Sequence, residues 1–257
     1  MTEMSDKTDA FARLLEIMDE LREKCPWDRN QTFESLRKLT IEETYELGEA
    51  ILESDHAGIE EEVGDLMLHM AFYAKLGEES GSFDMTSLIH RVCDKLVERH
   101  PHIYGDVEVA DEDDVKRNWE SLKLKSGKKS VLGGVPRGLP ALVKAYRMQE
   151  KTATVGFEWE KVADVWKKVE EESAELKEAI ELKDHAAIED EFGDLLFALV
   201  NYARFIDVDP EAALERTNQK FKKRFEYIEA NAEKSLQEMS LGEMDALWND
   251  AKVRLTK

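Results

Sequence analysis

Apolar residues recur along this chain at spacings of three and four, the period of a single helix face. The clearest stripes are Val63, Leu66, Met70 and Tyr73, then Phe192, Leu195, Leu199 and Tyr202. No run alternates with period two, so no strand is expected. The pattern predicts helices over 6–24, 33–53, 56–78, 85–99 and 112–124, then 139–152, 161–182, 185–206, 210–232 and 241–255. Asp209-Pro210 reads as an N-cap followed by proline at the first helical position. Thr40-x-x-Glu43 has the form of a capping box. Cys25-Pro-Trp27-Asp28 reads as a turn or helix start, and His100-Pro-His102 as a turn that ends a helix.

The two sets of helices repeat one another. Glu43, Glu46, Glu62 and Asp65 recur 129 residues later as Glu172, Glu175, Glu191 and Asp194, and Asp55-His56-Ala57 recurs as Asp184-His185-Ala186. An internal repeat of this kind fixes the architecture: two all-α domains in tandem, 1–124 and 139–257. Between them, 125–138 is rich in Gly, Lys and Pro and is expected to be a flexible basic linker. Its glycines do not make a dinucleotide fingerprint, because no strand precedes them.

Composition narrows the chemistry. In 257 residues the formal net charge is −21, with 36% charged, 42% hydrophobic and 8% aromatic residues and five prolines. That charge argues against a nucleic-acid groove or an anionic membrane as partner, though not against a small polyanion whose charge a metal neutralises. Two cysteines, Cys25 and Cys93, give neither a disulfide framework nor a zinc quartet. The opening residues resemble no export signal and no apolar run approaches a membrane span, so a soluble cytoplasmic protein is expected.

Residues three apart share a helix face, so Glu43 projects with Glu46, and Glu62 with Asp65 on the next helix. Two helices joined by a short connection pack antiparallel, which would gather all four acids. Four carboxylates repel unless a cation sits among them, and an all-oxygen donor set suits Mg²⁺, with Mn²⁺ as a substitute. Gly64 and Gly193 lie inside the ligand pairs, where a missing side chain would let another backbone or a ligand approach. The competing reading is a solvated acidic face. The repeat decides between them: Val169 stands where Thr40 stands in the first copy, yet Glu172 remains.

Lys95 and Arg99 are answered 125 residues later by Lys220 and Arg224, which taken alone read as an ordinary exposed basic stripe and beside a metal site as a phosphate clamp. Trp119 with Lys123 is answered by Trp248 with Lys252, either core anchors or a base-stacking wall with a lysine alongside. His69, four after Asp65, is matched by Ala198 and reads as a lone packed or exposed histidine rather than a ligand. The run Asp111–Asp114 reads as an acidic helix start, without the alternation of a calcium loop.

At Cys25-Pro-Trp-Asp28, Glu42-Glu43-x-x-Glu46, Glu62-x-x-Asp65 and Arg99-His-Pro-His102 the chain closely resembles the MazG family of nucleoside triphosphate pyrophosphohydrolases. The resemblance covers nearly the whole chain. It implies one helical MazG domain in each half, assembly as a homodimer, and Mg²⁺-dependent hydrolysis of NTPs and dNTPs to monophosphate and pyrophosphate. A house-cleaning role in the nucleotide pool goes with that activity. Carried over by motif, the metal ligands are Glu172, Glu175, Glu191 and Asp194, with Glu43, Glu46, Glu62 and Asp65 in the first half. Lys220, Phe221, Lys222, Lys223, Arg224 and Trp248 match nucleotide-contacting positions. No protein nucleophile is evident, so water should attack directly, with Glu42 or Glu171 accepting its proton. Lys220 and Arg224 would hold the phosphates in line.

The richer basic helix makes the second half the expected main centre. Two rivals belong to other classes. A ferritin-like di-metal redox protein needs Glu-x-x-His where this chain has Glu-x-x-Asp, and one half could be a metal-stabilised, non-catalytic module. The preferred base, the phosphorus attacked and any protein partner are not legible in the sequence.

Overall fold

A computed structural model describes residues 2–111, 114–115 and 130–255, with side chains from residue 5. Among the described residues there are eleven α-helices, two 3₁₀ turns and no strand, as the period of the apolar positions predicts. The expected helix 112–124 falls largely outside them, as do Trp119, Lys123 and most of the expected linker. The chain divides into two compact units, Met1–Trp119 and Glu120–Lys257.

In the first unit α1 (Thr2–Lys24), α2 (Pro26–Arg29), α3 (Phe33–Glu53), α4 (His56–Glu79), α5 (Met85–Arg99) and α6 (Pro101–Tyr104) follow one another. The core is where α1, α3 and α4 meet, at Met18, Leu36, Phe72 and Leu76, with Leu39, Leu68 and Tyr73 packed against it. Arg22 lies 5.4 Å over the Phe72 ring and ion-pairs with Glu79 at 2.6 Å, fastening α1 to α4. The capping box of α3 is made by Thr32 and Ser35, so the N-cap lies eight residues before Thr40. Thr40 is instead interior: its hydroxyl donates to the Leu36 carbonyl and meets the Tyr73 hydroxyl at 2.8 Å. A second difference is the segment after His100, which winds into the helical turn α6 because Pro101 can occupy its first position without needing an N–H partner.

The second unit contains α7 (Ala141–Ala153), α8 (Val162–Leu182), α9 (His185–Phe205), α10 (Pro210–Asn231) and α11 (Leu241–Arg254). Its buried residues include Val165, Val169 and Ala179 of α8, Ala198 and Val200 of α9, Ile228 of α10 and Ala251 of α11. The Tyr227 hydroxyl donates to Asp250 at 2.5 Å and joins α10 to α11.

The α3–α4 and α8–α9 hairpins are built by the same two-residue device. Ser54 and Lys183 end the first helices in the left-handed conformation, with φ of 59° and 58°. Asp55 and Asp184 then cap the second helices, each accepting a bond at 3.1 Å from the backbone N–H two residues on. An αL residue reverses the chain and an aspartate satisfies the orphan donors of the next helix, so the connection has no slack. That fixes the antiparallel register of the acids. The four-residue shortening of the second copy lies mostly inside a helix, since α4 has 24 residues and α9 has 21.

Candidate functional site

Each hairpin draws carboxylates from both of its helices into one cluster. In the first unit Glu43, Glu62 and Asp65 each offer an oxygen, all within 4.8 Å of one another. Glu46 is exposed and is not one of that triad. Burial, the bonded Glu62 carboxyl and the charges of Asp65 and Glu46 push Glu43 up to about 7. One Glu62 oxygen is buried without a hydrogen-bond partner. Carboxylates this close, one retaining a proton and one with an unmet oxygen, could together hold a metal ion.

In the second unit Glu172 belongs to two such groups, one with Glu191 and Asp194 and one with Glu171 and Glu175. Glu172 is only 5% exposed. Desolvation and the bonded Glu172 carboxyl hold Glu175 above the ordinary glutamate range, against the opposing pull of Lys168. Lys168 pairs with Glu172 at 2.6 Å and Glu171 at 2.7 Å. The position matching it in the first unit is Leu39, which packs on the apolar core. Among the described residues, therefore, the second cluster has a resident lysine at a position where the first has leucine.

Beside the second cluster opens a pocket of about 710 Å³ whose lining includes Glu172, Asp194 and Lys168. Gly156, at φ 84°, turns the chain after α7 so that Phe157 and Trp159 join the wall, with Phe197 of α9. Gln149, Asn201 and Arg204 supply polar groups there. Arg204 ion-pairs with Glu158 and donates to Asn201 Oδ1 at 3.0 Å. In the first unit a smaller pocket, about 420 Å³, lies along α5 between Phe83, Ser87, Leu88, Arg91, Val92 and Lys95, with none of the acids in its lining.

The expected basic residues fall elsewhere. Lys220, Phe221, Lys222, Lys223 and Arg224 lie on α10, and none lines the large pocket. The Phe221 ring stacks on Phe225 at 6.2 Å and tilts against Trp248 at 5.2 Å, while the Arg224 guanidinium sits 5.5 Å over Trp248. Lys252 donates to Asn249 Oδ1 at 3.2 Å. Arg99 is half-buried at the end of α5, and Glu42, which stands outside the first triad, is exposed. His69 is buried, as is its counterpart Ala198, so the position belongs to the packing in both copies. Gly64 and Gly193 face open space, with no atom within 4 Å of an added Cβ, so no close backbone approach requires them in either unit.

Sequence reasoning missed Lys168 and the pocket wall. Lys168 was detectable by asking where the two copies differ beside the acids, rather than where they agree. Gln149, Asn201 and Arg204 carry no such signal, being single polar residues within helical runs.

Helical hairpins that bring glutamate and aspartate oxygens from both helices into one cluster define an all-α protein whose acids could hold a cation. The chain belongs to the MazG nucleotide pyrophosphohydrolase domain family, whose model matches residues 31–104 and 161–228. It is 43% identical over 250 residues to the nucleoside triphosphate pyrophosphohydrolase/pyrophosphatase MazG of Thermotoga maritima, covering 94% of this chain and 95% of that one. It is 39% identical over 254 residues to the nucleoside triphosphate pyrophosphohydrolase of Escherichia coli K12, covering 93% and 96%. A crystal structure of a mazG-related protein from Thermotoga maritima aligns at 29% identity with a TM-score of 0.40, over 44% of this chain and 98% of that one. No described helix is long and apolar enough to cross a membrane.

Proposed function

We propose that the protein hydrolyses nucleoside triphosphates to nucleoside monophosphate and pyrophosphate at a Mg²⁺-dependent site in the second unit, in the service of nucleotide-pool house-cleaning. One observation carries the reading: the Glu172, Glu191 and Asp194 triad, with oxygens within 4.8 Å of one another, puts Glu172 and Asp194 in the wall of the pocket that also holds Lys168. Glu172, Glu175, Glu191 and Asp194 would hold the ion, and Glu43, Glu46, Glu62 and Asp65 are the corresponding groups of the first unit. Bound there, a hard divalent cation supplies charge neutralisation to the phosphate chain and acidifies water.

The chain's own residues do the rest. Glu171, adjacent to the triad yet exposed enough to meet solvent, accepts the proton of the attacking water. Lys168, already at bonding distance from Glu171 and Glu172, holds those carboxylates in place and offers a cation to a phosphate oxygen. Lys220, Lys222, Lys223 and Arg224, on α10 outside the lining of that pocket, would be the further phosphate contacts, with Lys252 alongside. Trp248, beneath Arg224 and against Phe221, fixes the direction of that guanidinium. In the first unit Lys95 and Arg99 match Lys220 and Arg224, but Val97 and Glu98 stand where Lys222 and Lys223 do, which favours the second unit as the main centre.

A homodimer completes the site. Val63, Met67 and Met70 of α4 and Phe192, Leu196 and Leu199 of α9 occupy matching positions, and all six are exposed. An apolar stripe repeated on both ligand-bearing hairpins is what a bundle of paired domains would cover.

The test is incubation with each NTP and Mg²⁺, with the products separated. Nucleoside monophosphate plus pyrophosphate, abolished by EDTA, is expected. Nucleoside diphosphate plus phosphate, or full activity in EDTA, would overturn the reading.

A further inference from the structure

The pocket beside the second triad holds a polar group that nothing among the described residues satisfies. Gln149 of α7 is 6% exposed and lines the pocket. Its Nε2 donates to the Phe197 carbonyl at 2.8 Å, and since a carbonyl can only accept, that bond sets the amide's orientation. The other end, Oε1, is buried and has no hydrogen-bond partner. Buried amide oxygens are almost always paired, because an unmet acceptor forfeits its hydration without return. Arg204, on the same wall, also has a buried and unmet group, its Nε. The pocket thus presents an acceptor and a donor that lack partners. Three aromatic side chains, Phe157, Trp159 and Phe197, line the same pocket. Phe197 lies three residues beyond Asp194 on α9, so the amide is anchored about one helical turn from the acid cluster.

We propose that Gln149 is a specificity-determining residue whose Oε1 accepts a hydrogen bond from the nucleoside part of the substrate. This rests on the pyrophosphohydrolase reading above. The polyphosphate is held at the acids, and a flat, largely apolar moiety fills the aromatic part of the pocket. The chemistry required at Oε1 is an N–H or O–H donor. In ATP two sources offer it: the exocyclic amino group of the base and the hydroxyls of the sugar. Phosphate oxygens and ring nitrogens without hydrogen are acceptors and do not satisfy it.

The experiment compares ATP with three analogues, each lacking one donor: purine riboside triphosphate, 2′-deoxy-ATP and 3′-deoxy-ATP. kcat/KM for pyrophosphate release is measured with Mg²⁺ on the full chain and on Gln149→Leu. In the wild type one analogue should be worse than ATP by about tenfold, the scale of one hydrogen bond to an otherwise unpaired buried group. In Gln149→Leu that ratio should fall to about one. Loss of discrimination against the deaminated base places the contact on the amino group, and loss against a deoxy sugar places it on that hydroxyl. The proposal is overturned if the wild type discriminates against none of the three. It is also overturned if Gln149→Leu keeps the wild-type ratios. Gln149→Met, similar in shape to glutamine, repeats the measurement should the leucine variant fail to melt cooperatively. Failure of the pyrophosphohydrolase reading is a separate result: the wild type would release no pyrophosphate from ATP at all.

Discussion

At Lys168 the two copies part company. Its ammonium lies on Glu171 and Glu172, whereas Leu39 turns into the core and leaves the first triad without a lysine at that position. The acid that compensates is Glu43, which keeps a proton up to about 7 against an ordinary 4.5. Between those values the folded chain binds a proton that the unfolded chain has released. The stability contributed by that group is therefore full below the ordinary value and lost as pH rises through the folded one. The melting temperature of the metal-free protein should fall between about pH 5 and about pH 8, and Glu43→Gln should flatten the fall. Equal pH profiles for the two proteins would remove Glu43 as the cause.

At the same scale, Glu175→Gln should lower NTP turnover by roughly a hundredfold, and Glu46→Gln by much less. The reverse pattern on a common substrate would make the first unit the main centre. The clustering of Glu43 with Glu62 and Asp65, and of Glu172 with Glu191 and Asp194, was legible because two copies hold the same types at the same spacings. The pocket wall was not, because Gln149 and Arg204 acquire meaning only when α7 and α9 lie side by side.

The helices themselves were legible almost to the residue, since caps and apolar periodicity agree. The expected 33–53 is observed as Phe33–Glu53, and Asp209-Pro210 opens α10 as its sequence indicates. The exceptions are instructive. Thr40-x-x-Glu43 has the letters of a capping box but sits mid-helix, where the threonine hydroxyl can only bond back to Leu36 or across to Tyr73. Local motifs name a helix start only where the chain has a reason to start one, and here Thr32 provides it.

The left-handed residues between the hairpin helices were invisible to pattern, being a serine in one copy and a lysine in the other. They lead to a stability prediction. At φ 58° Lys183 bears the steric cost of a Cβ in αL, which glycine lacks. Lys183→Gly should therefore raise unfolding free energy by about 0.5–1 kcal/mol, measured by urea titration, with no change in the acid cluster. Asp184→Ala, which leaves the first backbone N–H groups of α9 unpaired, should lower it by about 1 kcal/mol.

For the molecule as a whole, the proposed homodimer gives a mass twice 29.6 kDa by light scattering at micromolar concentration. A value near 29.6 kDa would refute it. The exposed stripes on α4 and α9 make this a question of valence as much as of affinity. A chain with one self-complementary face can only pair. A chain with two such faces, one per unit, is bivalent, and bivalent molecules either close on a single partner or link onward without limit. If both faces of one chain meet both faces of a second, the assembly ends there, and either contact raises the effective concentration of the other. Charging one stripe with Leu196→Asp should then leave a dimer held by the remaining face, weaker but still finite. If the faces instead engage different chains, the wild type should show a ladder of sizes on sedimentation, which Leu196→Asp would cut back to pairs.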